Sequence, residues 1–484
     1  MSEITKLKPT LVWEIFDQIT KVPRPSKREG KIIKFLCEFA EKHNLEYKKD
    51  ATGNVVMRVP ATPGYENRPT VILQSHMDMV CEKNSDVEFD FDNDPIQPRI
   101  DGEWVKATGT TLGADDGIGC ASQMAVLLDP TLKHGPIEAL FTIDEETGLT
   151  GAFGLGEGML TGKYLLNLDS EDEGELFIGC AGGVDTVATF HATKETAPAD
   201  YAWFRMDVSD LLGGHSGDDI NKGHGNSNKI VARLLWMAMQ KWALKLNNFA
   251  GGNLRNAIPR EAHAIFGIPA AAKTEFQKFF EQYAADIKAE LQFTEPNLKV
   301  QLQEVEAAKD VIDAKTQKGL IYSLVGVANA VIEMSFAVPG LVETSTNLAS
   351  VKFMEDNSIV VTLSQRSSVE SAKDYVAQMV ESVFVLAGAE VVHSEGYPGW
   401  APNPQSKLLE VSVKAYKDLF HTEPKVRAIH AGLECGLFLV KYPHLEMVSF
   451  GPTLRGVHSP DERMEIATVQ KFWDLLVEIL EKID

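Results

Sequence analysis

Residues 137–152 read IEALFTIDEETGLTGA. An apolar run from Ile137 to Ile143 climbs into three consecutive acids, Asp144, Glu145 and Glu146. The run has the length and composition of a strand buried on both faces, as in a sheet covered by helices. Side chains alternate across a strand, so three adjacent acids cannot all face one site while the strand stays regular. Either the acids form a solvated strand end before a turn at Gly148, or the strand stops and two glutamates enter one cleft with different tasks.

The same organisation recurs on both sides of this stretch. Lys31 to Lys42 carries apolar residues at helical spacing, and Pro69 to Ser75 reads as a second buried strand. After Asp115-Asp116-Gly117, Ile118 to Leu128 reads as a helix that ends near Asp129-Pro130. Lys163 to Leu168 and Leu445 to Phe450 are further buried strands, and Val469 to Lys482 is a closing amphipathic helix. This alternation predicts an α/β domain, a mostly parallel sheet flanked by helices. The middle of the chain differs. Val184 to Val208 and Ser350 to Ser364 look like half-buried strands, with a turn at Glu355-Asp356-Asn357. Long amphipathic helices over Asn228 to Leu246 and Lys273 to Leu291 lie between them. With 484 residues, two domains are the default expectation. The predicted partition is a discontinuous domain of residues 1–186 and 400–484, with an α+β lid of residues 187–399 inserted.

Composition narrows the function. The chain is 44% apolar and 24% charged without low-complexity tracts, which excludes a disordered or fibrous protein. A net charge of −22 repels phosphate backbones, so no nucleic-acid partner is expected. If several acids converge in one cleft, cations are the obvious means of neutralising them. The opening MSEITKLKPTLVWEIFDQ lacks the apolar core of a signal peptide, and no run is long enough to cross a bilayer. Five scattered cysteines (Cys37, Cys81, Cys120, Cys180, Cys435), odd in number and without C-x-x-C spacing, fit thiols in a reducing compartment. A cytoplasmic protein without a membrane partner is expected.

Four apolar strands terminate in metal-competent side chains: Ser75-His76-Met77-Asp78, Glu145-Glu146, Asn167-Leu168-Asp169 and, slightly beyond its strand, Val457-His458-Ser459. A fifth segment, Thr111 to Gly117, places Asp115 and Asp116 at the mouth of a helix. In a mostly parallel sheet, the carboxyl ends of the strands form the crevice where ligands sit. Two histidines with several carboxylates suit Zn²⁺ or Mn²⁺ better than the oxygen-only cage of Ca²⁺. Each piece also has a plain structural reading. A lone strand-end histidine is usually a hydrogen-bonded structural residue, Asp115 could cap its helix, and Asp169 could belong to a solvated acidic loop. Recurrence in five segments with complementary ligand types is what points to a metal centre.

The motifs SHMDMV, GTTLGADDGIGCA, DEETGLTGA, LNLDSED, GGHSG and GVHSPDE occur in that order. Together they resemble the di-metal aminopeptidase and carboxypeptidase family that includes carboxypeptidase G, aminoacylase and carnosinase. The resemblance spans essentially the whole chain, and the long inserted segment resembles that of the family's dipeptidases. It implies two divalent metal ions per subunit, Zn²⁺ foremost, with Mn²⁺ or Co²⁺ suited to similar ligands. His76 and Asp169 would hold one ion, Glu146 and His458 the other, and Asp115 would bridge both. The family usually has a cis peptide after the bridging Asp, here Asp115–Asp116. Asp78, two residues after His76, would accept the second imidazole N–H and fix its tautomer. Glu145 would be the general base, and His215, in Gly213-Gly214-His215-Ser216-Gly217, the oxyanion donor. Many relatives supply that histidine from a second subunit's lid; the longer lid here leaves supply within one chain open. Asn253, Asn256 and Asn347 resemble substrate-contacting lid residues, Arg366 could clamp a substrate carboxylate, and Glu434 could meet a substrate amine. Each of these also reads as a surface, turn or structural residue.

The activity implied is hydrolysis of unblocked dipeptides, including Xaa-His dipeptides such as carnosine, with small peptides as substrates and a homodimer formed through the lid. An aminoacylase or carboxypeptidase is the alternative within the family, and a non-catalytic metal-binding protein the alternative outside it. Retention of both Glu145 and Asp78, which a pure binder does not need, speaks against the last.

Overall fold

The strands Val71–His76, Ile137–Thr142 and Tyr164–Asn167 are buried along their whole length, as continuous apolar runs in a covered sheet require. They lie in the first of two compact units of the computed structural model, which describes residues 2–484. This unit comprises the chain up to Gly179, Pro402–Ala428 and Leu433–Asp484. The second unit comprises Cys180–Ala401 and Ile429–Gly432.

The sheet of the first unit has eight strands in the order Glu46–Lys49, Val55–Val59, Ile137–Thr142, Val71–His76, Tyr164–Asn167, Glu446–Ser449, Glu175–Cys180 and Lys425–Ile429. Ile137–Thr142, Val71–His76, Tyr164–Asn167 and Glu446–Ser449 run parallel. Antiparallel pairings border this centre at Val55–Val59 and Glu175–Cys180. The parallel strands therefore point their carboxyl ends the same way, which gathers the side chains that follow them. A core containing Trp13, Phe16, Ile118, Met124, Phe141, Phe472 and Leu476 joins the helices to the sheet. A separate four-stranded sheet is formed by Leu454–Arg455, Arg463–Glu465, Trp104–Lys106 and Arg99–Asp101. His458 lies in the loop between the first two of these strands.

The helix expected from Ile118 lies within the span Ala114–Leu128, whose start is kinked: Asp115 (φ −81, ψ 111) and Asp116 (φ −105, ψ 41) are not helical, so the regular helix begins only after Asp116. The peptide bond between them is cis, the isomer expected.

The second unit is built on another plan. Its strands alternate buried and half-exposed residues, as in Gly182–His191 and Tyr201–Ser209, and every pairing between its strands is antiparallel. One face of the sheet is thus covered by helices, with a core containing Phe204, Leu235, Phe266, Phe276, Leu320 and Phe384. The topology contains one arrangement twice. Tyr201–Ser209, helix Ser227–Lys241, Lys245–Gly251, Ala262–Pro269, helix Lys273–Glu290 and Lys299–Glu304 form a βαββαβ set. Gly182–His191, helix Ala314–Gly326, Val342–Phe353, Ser358–Ser367, helix Glu370–Leu386 and Glu390–His393 form a second set, into which the first is inserted. The two have mirrored strand orders and meet at the pair Gly251 and Val351.

One predicted helix was too long. Asn228–Leu246 ends as Ser227–Lys241, since Trp242 is extended and Lys245–Gly251 pairs with Ala262–Pro269. Cross-strand pairing there overrides the local helical pattern. Among the described residues no helix is long and apolar enough to cross a membrane, and none of the five cysteines is in a disulfide.

Candidate metal centre

Strand Ile137–Thr142 stops one residue before Ile143, and Asp144 turns the chain in a left-handed conformation (φ 47, ψ 46). Glu145 and Glu146 then occupy the first turn of a short helix, Glu145–Gly148. Leaving the strand resolves the alternation problem, because helical neighbours are offset by about 100° instead of facing opposite ways. Asp144 is buried and accepts hydrogen bonds from the hydroxyls of Thr147 and Thr150, so its task is to shape the turn.

Four other segments bring their side chains to the same place. His76 Nε2 lies 3.0 Å from Asp115 Oδ1 and 3.4 Å from Asp169 Oδ1. His458 Nε2 lies 3.2 Å from Asp115 Oδ2 and 3.0 Å from Glu146 Oε2. The two oxygens of Asp115 therefore face different groups, His76 with Asp169 on one side and His458 with Glu146 on the other. In each group the candidate ligand atoms lie within 4.8 Å of one another. Asp116 has the capping role that Asp115 could have filled, accepting the Gly119 N–H at 3.1 Å.

Protons and burial govern the charge of this cluster. Although burial opposes ionisation, hydrogen bonds from His458 and His76 hold the Asp115 carboxyl well below the usual carboxylate range. His458 is pushed up to about 11 by its bonds to Asp115 and Glu146. Burial favours a neutral His76, yet Asp169, Asp115 and Asp78 outweigh it and raise its pKa well above the ordinary value. Burial pushes Asp169 up to about 7, and it pushes Glu171 to about 7 with Asp115 adding to the effect. Both imidazoles thus hold protons that divalent cations would replace. Two imidazoles, three carboxylates and a buried Glu146 Oε1 without a hydrogen-bond partner make a donor set that fits zinc-like ions.

Asp78 lies under this cluster. Its Oδ1 is 3.3 Å from His76 Nδ1 and accepts the Glu145 N–H at 3.1 Å; its Oδ2 accepts the Glu146 N–H at 3.4 Å and the Ser26 hydroxyl at 2.8 Å. Glu145 shares a 4.8 Å group with His76 and Glu146. Burial raises its carboxyl well above the ordinary value; Asp169, Glu434 and Glu146 add to the rise against the opposing charge of His76. Glu434 forms part of the floor. Its Oε2 accepts from Gln74 Nε2 at 2.7 Å and Thr142 Oγ1 at 2.8 Å, and burial pushes its pKa up to about 8.

The second unit holds its own polar cluster. Burial first, then Arg366, lowers the pKa of His215, so this imidazole is neutral near pH 7. Arg366 is 7% exposed and donates to the Tyr397 hydroxyl at 2.8 Å. Asn347 donates to the Ala257 carbonyl at 2.8 Å, while the Asn256 carbonyl accepts the Ser216 N–H, which ties the His215 loop to the same Asn256-Ala257 segment. Asn253 is exposed and lines a different depression, beside Arg205, Asp207 and His263. Sequence reasoning missed His430, whose Nε2 lies 2.7 Å from Ser345 Oγ and whose pKa falls to about 3 through burial and Arg366. It also missed Arg24, Glu171 and Glu462; for Glu462 a signal existed, since it ends the quoted motif GVHSPDE.

The parallel sheet with ligands at its strand ends is the architecture of a metallopeptidase, and the chain belongs to peptidase family M20/M25/M40, which residues 72–482 match. Among its relatives, the cytosol non-specific dipeptidase of Escherichia coli (strain K12) is 44% identical over 483 residues, covering 100% of this chain and 99% of that protein. The crystal structure of aminoacylhistidine dipeptidase from Vibrio alginolyticus is 46% identical, with a TM-score of 0.96 over 100% of this chain and 98% of that one. The aminopeptidase PepT from Bacillus cereus shares the fold at 17% identity, with a TM-score of 0.59 and 99% of each chain covered.

Proposed function

We propose that this chain is a dinuclear metallo-dipeptidase of the cytosol that hydrolyses unblocked dipeptides, among them Xaa-His dipeptides such as carnosine. The observation that carries the reading is the pair of Asp115 oxygens, 3.0 Å from His76 and 3.2 Å from His458. Full-length identity of 44% and 46% to two proteins named as dipeptidases supports the substrate class. His76 and Asp169 would hold one cation, Glu146 and His458 the other, with Asp115 between them. Bound divalent cations supply Lewis acidity and make hydroxide available near neutral pH.

Glu145 takes the proton of the attacking water. Its raised pKa matches that task, because a base whose pKa lies nearer neutrality can both accept a proton and return it. As the peptide C–N bond breaks, Glu145 delivers the same proton to the leaving amine. Asp78 orients His76 and holds the backbone of Glu145. His215, a neutral imidazole, donates an N–H to the oxygen on which negative charge develops. Arg366, buried at 7% exposure, pairs with the substrate carboxylate, and Asn347, on the neighbouring strand, contacts the substrate as well. Asn253 and Glu434 are assigned to substrate contact, Glu434 from a position held by Gln74 and Thr142. Self-association as a homodimer is assigned to the second unit, where Leu386 and Val392 are 89% and 68% exposed near an edge strand.

The test is a panel of free dipeptides, including an Xaa-His dipeptide, with their N-acetyl forms, assayed after reconstitution with Zn²⁺, Mn²⁺ or Co²⁺. Turnover of free dipeptides alone is expected. Preferential turnover of the acetylated forms would instead identify an aminoacylase or carboxypeptidase, and no turnover at full two-metal occupancy would leave a metal-binding protein.

A further inference from the structure

Two buried charges hold the Asp115 loop from opposite sides, and neither is a candidate metal ligand. Glu462 is 2% exposed, and its carboxylate is saturated by consecutive backbone N–H groups. Oε2 accepts from Leu112 at 2.7 Å and Gly113 at 2.9 Å; Oε1 accepts from Ala114 at 2.7 Å and Asp115 at 3.4 Å. Arg24, also 2% exposed, donates to the carbonyls of Met77 at 3.2 Å and Asp78 at 2.7 Å, and to that of Gly113. Among the described residues neither forms an ion pair within 4.0 Å, so backbone dipoles alone compensate both charges. Burying a charge without an ionic partner is tolerated only where oriented dipoles meet it fully.

Gly113 lies at the crossing. Its N–H goes to Glu462 and its carbonyl to Arg24, so one residue is clamped between a carboxylate and a guanidinium. A Cβ there would lie 2.6 Å from Arg24 Nη2 and 2.8 Å from Met79 Sδ, on a backbone with φ +67. Asp115 follows two residues later, and the same Arg24 holds the chain at Asp78. One cation therefore ties together the loops carrying Asp115 and the His76–Asp78 pair.

We infer that Arg24 and Glu462 are positioning residues for the metal centre: together they set the orientation of the bridging carboxylate and hence the affinity for both divalent cations. The inference rests on the proposed bridging role of Asp115.

The test uses the full chain, freed of metal by chelation, with Zn²⁺ affinity measured by competition against a chromophoric chelator and Co²⁺ absorption as a report of ligand geometry. Glu462→Gln keeps the size of the side chain but turns one acceptor into a donor facing N–H groups. It is expected to lower affinity for both cations by about 10- to 100-fold and to change the Co²⁺ spectrum. Arg24→Lys, which cannot reach both loops with a planar fork, is expected to do the same. Glu462→Asp, which keeps the charge, should fall between wild type and Glu462→Gln. Glu295→Gln is the control. That acid, 3% exposed in the second unit, accepts the N–H groups of Leu212 and Gly225 at 2.7 Å, so its loss disturbs folding energy but should leave both metal readouts unchanged. Should Glu462→Gln not fold, Glu462→Asp and Arg24→Lys decide by the same two readouts. Wild-type affinity and spectrum in the folded Glu462 and Arg24 variants would overturn the inference. If Asp115→Asn loses both cations while those variants keep them, only the positioning role falls; if Asp115→Asn retains both, the bridging role falls with it.

Discussion

Asp78 accepts the backbone N–H of Glu145 at 3.1 Å with the same oxygen that stands 3.3 Å from His76 Nδ1. One buried carboxylate thus orients a metal-competent imidazole and the turn that carries the proposed base. Asp78→Asn removes the charge that holds His76 while leaving the side chain's shape. Zn²⁺ affinity is expected to fall by about 10- to 100-fold, measured by chelator competition. Turnover should stay low when metal is saturating, because Glu145 also loses its anchor. Full recovery at high metal would mean that Asp78 serves the imidazole alone.

Glu145 and Glu146 are adjacent in sequence and are proposed to divide the labour. Glu145→Gln should keep two cations per chain and lose turnover by about 10²- to 10⁴-fold, the usual span for removing a general base. Glu146→Gln should bind one cation normally and the other weakly, read by metal analysis after dialysis. Equal metal loss in both variants would refute the division.

Metal uptake should depend on pH with a definite sign. Burial raises Asp169 and Glu171 to about 7, so below that pH both are protonated and neutral. A cation held by Asp169 needs that carboxyl ionised, and an ionised Glu171 adds negative charge beside Asp115, so affinity is expected to be highest above pH 7 and to fall as the pH drops through it. His458, raised to about 11, also carries a proton that must leave. Zn²⁺ binding should therefore release protons near pH 7, seen as a dependence of calorimetric heat on buffer ionisation enthalpy. Heats independent of the buffer would contradict this charge balance.

His215 and Arg366 belong to the second unit. His215→Ala is expected to lower kcat by about 10²- to 10³-fold with metal content unchanged, as for the loss of one oxyanion donor. Arg366→Lys should act chiefly on KM, because an ammonium cannot pair with a carboxylate through two parallel bonds. Loss of metal in the His215 variant would exclude the oxyanion role.

The buried strands were legible because continuous apolar runs such as Val71 to Ser75 have few other ways to be satisfied. Their ends were legible because acids and histidines interrupt the runs abruptly. The end of the helix at Lys241 was not, since residues up to Leu246 keep a helical pattern and only pairing with Ala262–Pro269 makes them a strand. Glu434 was ambiguous in sequence because a carboxyl near glycines has no signature; its partners, Gln74 and Thr142, come from two strands far upstream. Glu462 was visible only as part of a motif, because backbone N–H groups 350 residues earlier leave no pattern around it.

The sequence by itself determined that five segments end in metal-competent residues, that two domain types alternate along the chain, and, through six ordered motifs, which family it resembles. These features are local, written in runs, spacings and residue types. Tertiary structure alone decided that Glu145 and Glu146 leave the strand on a left-handed Asp144, and that each oxygen of Asp115 meets a different histidine. It also decided that two unpaired charges clamp Gly113. The physical reason is distance: side chains that meet within 3 to 4 Å are brought together by strand order and loop geometry, which no local pattern in the chain encodes.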